Sequence, residues 1–198
     1  MTSARTRPTL SEDWASVGLG LLVFVLSLGA LVGLNVLGWS ATPRVWTELA
    51  RSVSPVSRAS GVSAAVSLAA TVVFVLAIMS VGAWLLGARV RRFVVSFAVL
   101  LAVAYVCWIA GHYAYIAATA DKQEQLGISW SMNLTGEAGY ILALLVGLVI
   151  GNFFKGAAAR LSEALRPEWY IKTAVVIMGA ALGVKSAEAL DLANHVIL

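Results

Sequence analysis

A single cysteine, Cys107, occurs among the 198 residues, which excludes an intramolecular disulfide and any multi-cysteine metal site. It lies inside "AYVCWIAG", where a small packing residue is the simplest reading. Charge is also scarce. Asp, Glu, Lys and Arg make up 12% of the chain, against about a quarter in soluble domains. Histidine occurs only at His112 and His195, far apart, and there is no HExxH, no Cys/His cluster and no glycine-rich phosphate loop. With no nucleophile, base or metal set, the chain is not expected to be an enzyme. No catalytic residue, cofactor or metal is expected. Asn133-Leu134-Thr135 matches a glycosylation sequon and is read as a chance match.

What the chain has in abundance is apolar sequence. Hydrophobic residues account for 60%, with a mean hydropathy of +0.88, and they arrive in long blocks separated by charged loops. That is the pattern of an all-α, polytopic integral membrane helical bundle. The net charge of +4 sits at block ends, which fits anionic headgroups and membrane orientation rather than nucleic acid. The expected partner is therefore the lipid bilayer. "MTSARTRPTL" is basic, but the block after it runs too long for a signal peptide and lacks a small-residue cleavage site. The first helix is expected to be retained.

About five transmembrane helices are expected, with short interfacial helices between them. The spans are Trp14 to Leu37, Val62 to Gly87, Phe93 to Ala118, Ala138 to Phe154 and Tyr170 to Ala189. Ser11 can cap the first, with Glu12 and Asp13 favouring its N-terminus. "ARVRR" joins the second and third as a tight hairpin. Two connections read as helices in the interface plane: "TPRVWTELARSV", with Thr42 as cap and Pro43 at its first position, and "GAAARLSEALRP". The third connection alternates Ile128, Trp130, Met132 and Leu134 with Ser129, Ser131 and Asn133, which predicts extended backbone.

Orientation follows from the basic residues of the short loops. Arg5, Arg7, Arg89, Arg91, Arg92, Lys155, Arg160 and Arg166 fall on one side, and Arg44, Arg51, Arg58 and Lys122 on the other. The N-terminus is expected in the cytoplasm and the C-terminus outside.

The fourth span raises a length problem. Seventeen residues reach ~25 Å, against a hydrocarbon core of ~30 Å. Short or glycine-broken helices in transporters present half-helix ends and freed amides near a substrate. Candidates for a substrate or ion path are therefore Asn133, Thr135 and Glu137 before the helix, Asn152 at its inner end, and Lys185 in the fifth span. Asn152 could cap its helix, pair with a neighbour or line a path. Lys172 and Lys185, ~20 Å apart along a helix, can each snorkel to an interface. His112 could relay protons, or simply hydrogen-bond at headgroup level beside Tyr113 and Tyr115. Gly29 and Gly33, Gly147 and Gly151, and Gly179 and Gly183 form GxxxG pairs that let helices pack closely in lipid.

Three stretches, "SEDWASVGLGLLVF", "NLTGEAGYILALLVGLVIGNFF" and "LRPEWYIKTAVVIMGAALGVKSAE", resemble the amino-terminal portion of a family of bacterial multi-span membrane proteins designated sulfate exporters. The resemblance covers both ends and most of residues 129 to 190. It implies a secondary transporter of a small inorganic anion such as sulfate, built from inverted repeats, in the bacterial inner membrane. It also implies further spans beyond "DLANHVIL", so the chain is expected to be one part of the transporter, completed by those spans or by a homo-oligomer. The expected division is a tail at 1–12, a three-helix scaffold at 13–118, an external extended loop at 119–137, and the truncated start of a transport core at 138–198. A non-transporting membrane subunit packed on a larger partner is the alternative.

A reporter fused after Arg92 is expected to read cytoplasmic, and one near Gln125 external. Neutralising Arg89, Arg91 and Arg92 together should weaken that orientation. Both reporters on one side would end the five-span arrangement.

Overall fold

The computed structural model describes residues 11–29, 36–57, 60–179 and 182, so expectations about Gly33, Gly183 and Lys185 lie outside the described residues. It is mainly helical. The helices are α1 (Glu12–Leu28), α2 (Ala64–Leu85), α3 (Val90–Gly111), α4 (Ala114–Ala117), α5 (Ala120–Leu126), α6 (Ala138–Phe153), α7 (Lys155–Leu161) and α8, which is helical over 167–179. Two short strands, β1 (Ala41–Pro43) and β2 (Val53–Pro55), complete the fold. Three helical stretches among the described residues are long and apolar enough to cross a membrane: Ala64–Leu85, Val90–Gly111 and Thr135–Phe153.

The chain forms two compact units. One draws on Met1–Leu37, Ile78–Val90 and Arg166–Leu198, the other on Gly38–Ala77 and Arg91–Leu165. In the first, Ser11 caps α1 by accepting the Trp14 amide, as its position predicts. Lys172 pairs with Asp13 at 2.6 Å and Arg166 with Glu12 at 3.3 Å, so the acidic first turn of α1 meets basic residues at the start of α8. Lys172 therefore has a specific partner in addition to any interface. Trp169 is fully buried, over Gly82 and beside Leu19. Gly20 gives α8 its closest approach, since a Cβ there would stand 2.7 Å from Val176.

In the second unit, residues expected to form an interfacial helix instead fold as a β-hairpin. Ala41 pairs with Pro55, Thr42 with Ser54 and Pro43 with Val53. β-branched Thr42, Val45, Thr47 and Val53 favour this backbone, and proline can sit only at such short edges. Helical spacing of Trp46, Leu49 and Val53 was the weaker signal; only a 3-10 turn, Leu49–Arg51, forms there. The hairpin is fastened to α2 by two buried hydroxyls one turn apart. Ser67 donates to the Trp39 carbonyl at 2.7 Å, and Thr71 accepts the Ala41 amide at 2.8 Å. Trp39 adds an edge-on contact with Phe74.

α3 and α6 cross where glycine meets glycine. A Cβ on Gly111 would fall on the backbone nitrogen and Cα of Gly139, and a Cβ on Gly139 would press on the Trp108 backbone at 3.1 Å. Close backbone approach of this kind is how helices associate where lipid gives no hydrophobic drive. The GxxxG residues Gly147, Gly151 and Gly179 face open space, so the packing expected of them is not made among the described residues. Gly29 forms the α1 C-cap position. The other expected interfacial helix does form, as α7 followed by a 3-10 turn, Ser162–Ala164. Arg160 there offers its carbonyl to Ser96 of α3 at 2.8 Å.

Replacing Gly111 by Ala is expected to destabilise the purified protein by about 1–3 kcal/mol through overpacking. The same change at Gly147 should stay within about 0.5 kcal/mol. Thermal melts in one detergent compare them, and equal midpoints would refute the crossing.

Candidate functional site

The expected third span ends early. α3 stops at Gly111, and the chain breaks at His112 and Tyr113 before the short α4. A break leaves helix carbonyls and amides without intrahelical partners. Trp46, in the loop beyond β1, takes up two of them and adds a second donor to a carbonyl that already accepts the His112 amide. Its amide donates to the His112 carbonyl at 3.2 Å, its carbonyl accepts the Ala114 amide at 2.8 Å, and its indole Nε1 donates to the Ile109 carbonyl at 2.8 Å. The Trp46 and Tyr113 rings lie 5.1 Å apart.

The third connection lies on the other side of this break; it forms no strand, and Asn133 and Leu134 depart from the extended backbone expected of it. Met132 donates to the Tyr115 carbonyl and Leu134 to the Ile116 carbonyl, both at 2.9 Å. Both acceptors are consecutive carbonyls of the short helix α4. Helix α5, ended by a left-handed Gly127, precedes it and was not anticipated.

Two of the candidate residues carry unusual backbone. Asn133 and Thr135 both have φ of 54°. Asn tolerates the left-handed region; for β-branched Thr it is a strained conformation. It sets up the 3-10 turn Thr135–Glu137 that leads into α6. That turn resolves the length problem. Three residues at 3-10 rise add ~6 Å to the ~24 Å of α6, which reaches the ~30 Å of a hydrocarbon core. Gly136 in the same turn lies against His112, leaving no room for a side chain. His112 donates from Nδ1 to the Trp108 carbonyl at 2.8 Å, the local hydrogen-bonding role of the two considered.

Asn133, Thr135 and Glu137 are therefore neighbours at the start of α6, all exposed. Asn152 is not with them. It lies fifteen residues on from Glu137, ~22 Å along a helix, and its Nδ2 donates to the Leu148 carbonyl of its own helix at 2.8 Å. That bond is to a carbonyl within the helix, whose C-cap position is Phe154. Between those ends α3 and α6 enclose apolar grooves only. One of about 270 Å³ is lined by Leu100, Ala104, Ala143, Gly147 and Gly151 of those helices and by Leu161 of α7. Arg44 and Lys122, which the sequence offered only as orientation charges, line one concavity with His112.

The chain is similar to a curated bacterial protein, UPF0324 membrane protein NE0724 of Nitrosomonas europaea, with 38% identity over 191 residues. The match takes in 95% of this chain and 39% of that protein, so the chain spans about two fifths of the relative's length. Neither a protein-family model nor a solved structure matches. Similarity to a membrane protein agrees with the three apolar helices.

Thr135→Gly removes a left-handed Thr costing ~1–2 kcal/mol, against ~0.5–1 kcal/mol of added glycine entropy. Its melting temperature is expected to equal or exceed that of the unsubstituted protein. A fall of several degrees would show that Thr135 is held by its side chain instead.

Proposed function

We propose that the chain is the amino-terminal, membrane-embedded part of a secondary transporter of small inorganic anions such as sulfate, in the bacterial inner membrane and of the UPF0324 kind. The N-terminus lies in the cytoplasm, and α1 and the region continuing from α8 supply two spans beyond the three apolar helices. One observation carries the reading. The glycine pair of α6, Gly147 and Gly151, lines an apolar groove that the described residues leave open. Glycines at helical spacing on a lipid-facing helix are where another helix approaches closely. The similar protein is longer by more than half its own length, enough to supply that helix.

In this reading the strained turn at Asn133 to Glu137 is the substrate approach. It places polar backbone at the head of a short helix, as broken helices do in transporters. Lys185, outside the described residues, is a further candidate on the sequence alone. Asn152 is the candidate at the far end of α6, where its side chain is exposed and its Nδ2 is held by the Leu148 carbonyl. A non-transporting subunit that docks a larger membrane partner through the same groove is the second reading, favoured by the apolar character of the grooves along α6.

Gly151→Trp separates these ideas, because the groove can accept a large side chain without disturbing this chain's own packing. Its melting temperature should be unchanged. In proteoliposomes the chain alone should give no saturable radiolabelled sulfate flux. Joined to the further spans that the longer relative has, it should transport sulfate, and Gly151→Trp should abolish that flux. Flux unaffected by the tryptophan would overturn the docking role, and no flux from the longer protein would favour the subunit.

A further inference from the structure

Arg44 stands just past β1, and Lys122 is on α5. Both border a concavity of about 420 Å³ in the second compact unit. We infer that this concavity binds a small organic anion, with a carboxylate between Arg44 and Lys122 and a short apolar body against Pro43, Val45 and Leu126. The charge arrangement is the first support. Lys122, Gln125 and Leu126 are spaced i, i+3 and i+4, so α5 presents one cation, one amide and one apolar side chain on a single face. Asp121, four residues before Gln125, borders that face and Glu124 lies off it, and neither lines the concavity.

Arg44 is oriented for the same purpose. Its Nε donates to Ser54 Oγ of β2, which fixes the guanidinium and leaves both terminal nitrogens free to grip a carboxylate. The nearest acidic residue of the hairpin, Glu48, is paired with Arg51 at 3.4 Å. Among the described residues, neither Arg44 nor Lys122 is in an ion pair. Two cations thus meet at one concavity with no carboxylate of their own.

Size and lining then choose the class of anion. The volume lies within the ~300–1,000 Å³ of small-molecule sites, several times what a bare inorganic oxyanion fills. Pro43, Val45 and Leu126 supply apolar wall that sulfate or phosphate could not use. His112 closes the floor, with its Nδ1 already committed to Trp108. The inference rests on the transport reading only for the side of the membrane it faces. Binding is measured without flux, so either can fail alone.

Calorimetric titration of the detergent-purified chain with benzoate tests the site. Saturable binding is expected, weakened at least tenfold in Lys122→Gln and several-fold in Gln125→Leu. Both residues are exposed, so these variants should melt as the parent does. Arg44→Gln should match Lys122→Gln, but it also removes the Ser54 bond, so the α5 variants decide. Sulfate at equal ionic strength should displace benzoate only weakly. No saturable binding, or unchanged binding in Lys122→Gln, would overturn the site. Tighter binding of sulfate would overturn the organic class. Binding to phosphatidylglycerol vesicles without benzoate binding would assign the cations to a lipid headgroup and overturn the proposal.

Discussion

Contact between the backbones of Gly111 and Gly139 governs the second compact unit. Two helices can approach so closely only where neither carries a side chain, and in lipid that approach is itself the attractive force. It fixes the head of α6 beside the end of α3. The chain before α6 must then arrive at a set height and direction, which the bonds from the Met132 and Leu134 amides to the Tyr115 and Ile116 carbonyls of α4 impose. The left-handed residues Asn133 and Thr135, either side of a right-handed Leu134, make the abrupt turn that this arrival requires.

Polar groups in the cap of this unit are settled by equally local means. Ser67 and Thr71 take the hairpin's free carbonyl and amide onto α2, and Trp46 answers the break after Gly111. These are the bonds an apolar environment demands, since an unpaired amide or carbonyl there costs several kcal/mol on the order of its full desolvation. The two hydroxyls of α2 look unremarkable in the sequence, yet they decide where an entire loop lies.

Much of this was legible beforehand, and the remainder has a physical cause. The bounds of α2 and α6 follow from their apolar runs, which end where charge or glycine begins. Ser11 as cap was equally plain, because it depends on neighbours in sequence, whereas the alternation from Ile128 to Leu134 did not give extended backbone at Asn133 and Leu134. The hairpin was misread as a helix because Trp46, Leu49 and Val53 fit a helical period, while its real determinants, Ser67 and Thr71, lie on another helix. GxxxG spacing pointed to Gly147 and Gly151, but the glycines that meet backbone are Gly20, Gly111 and Gly139, which form no such pair. A spacing rule sees one helix; close approach is a property of two. Arg44 and Lys122 share a concavity for the same reason, being far apart in sequence and joined only by the fold.

The discontinuity after Gly111 has a mechanical consequence. Broken helices are commonly hinges, because the missing bonds make bending cheap. Here the groups freed by the break are bound by Trp46, whose loop is in turn bolted to α2 through the hairpin. Bending at His112 would strand a carbonyl, an amide and an indole together. The end of α3 and the hairpin must therefore move as one rigid body, and any opening of the cap has to begin at the weaker seam along residues 128–134, which only two backbone bonds close onto Tyr115 and Ile116.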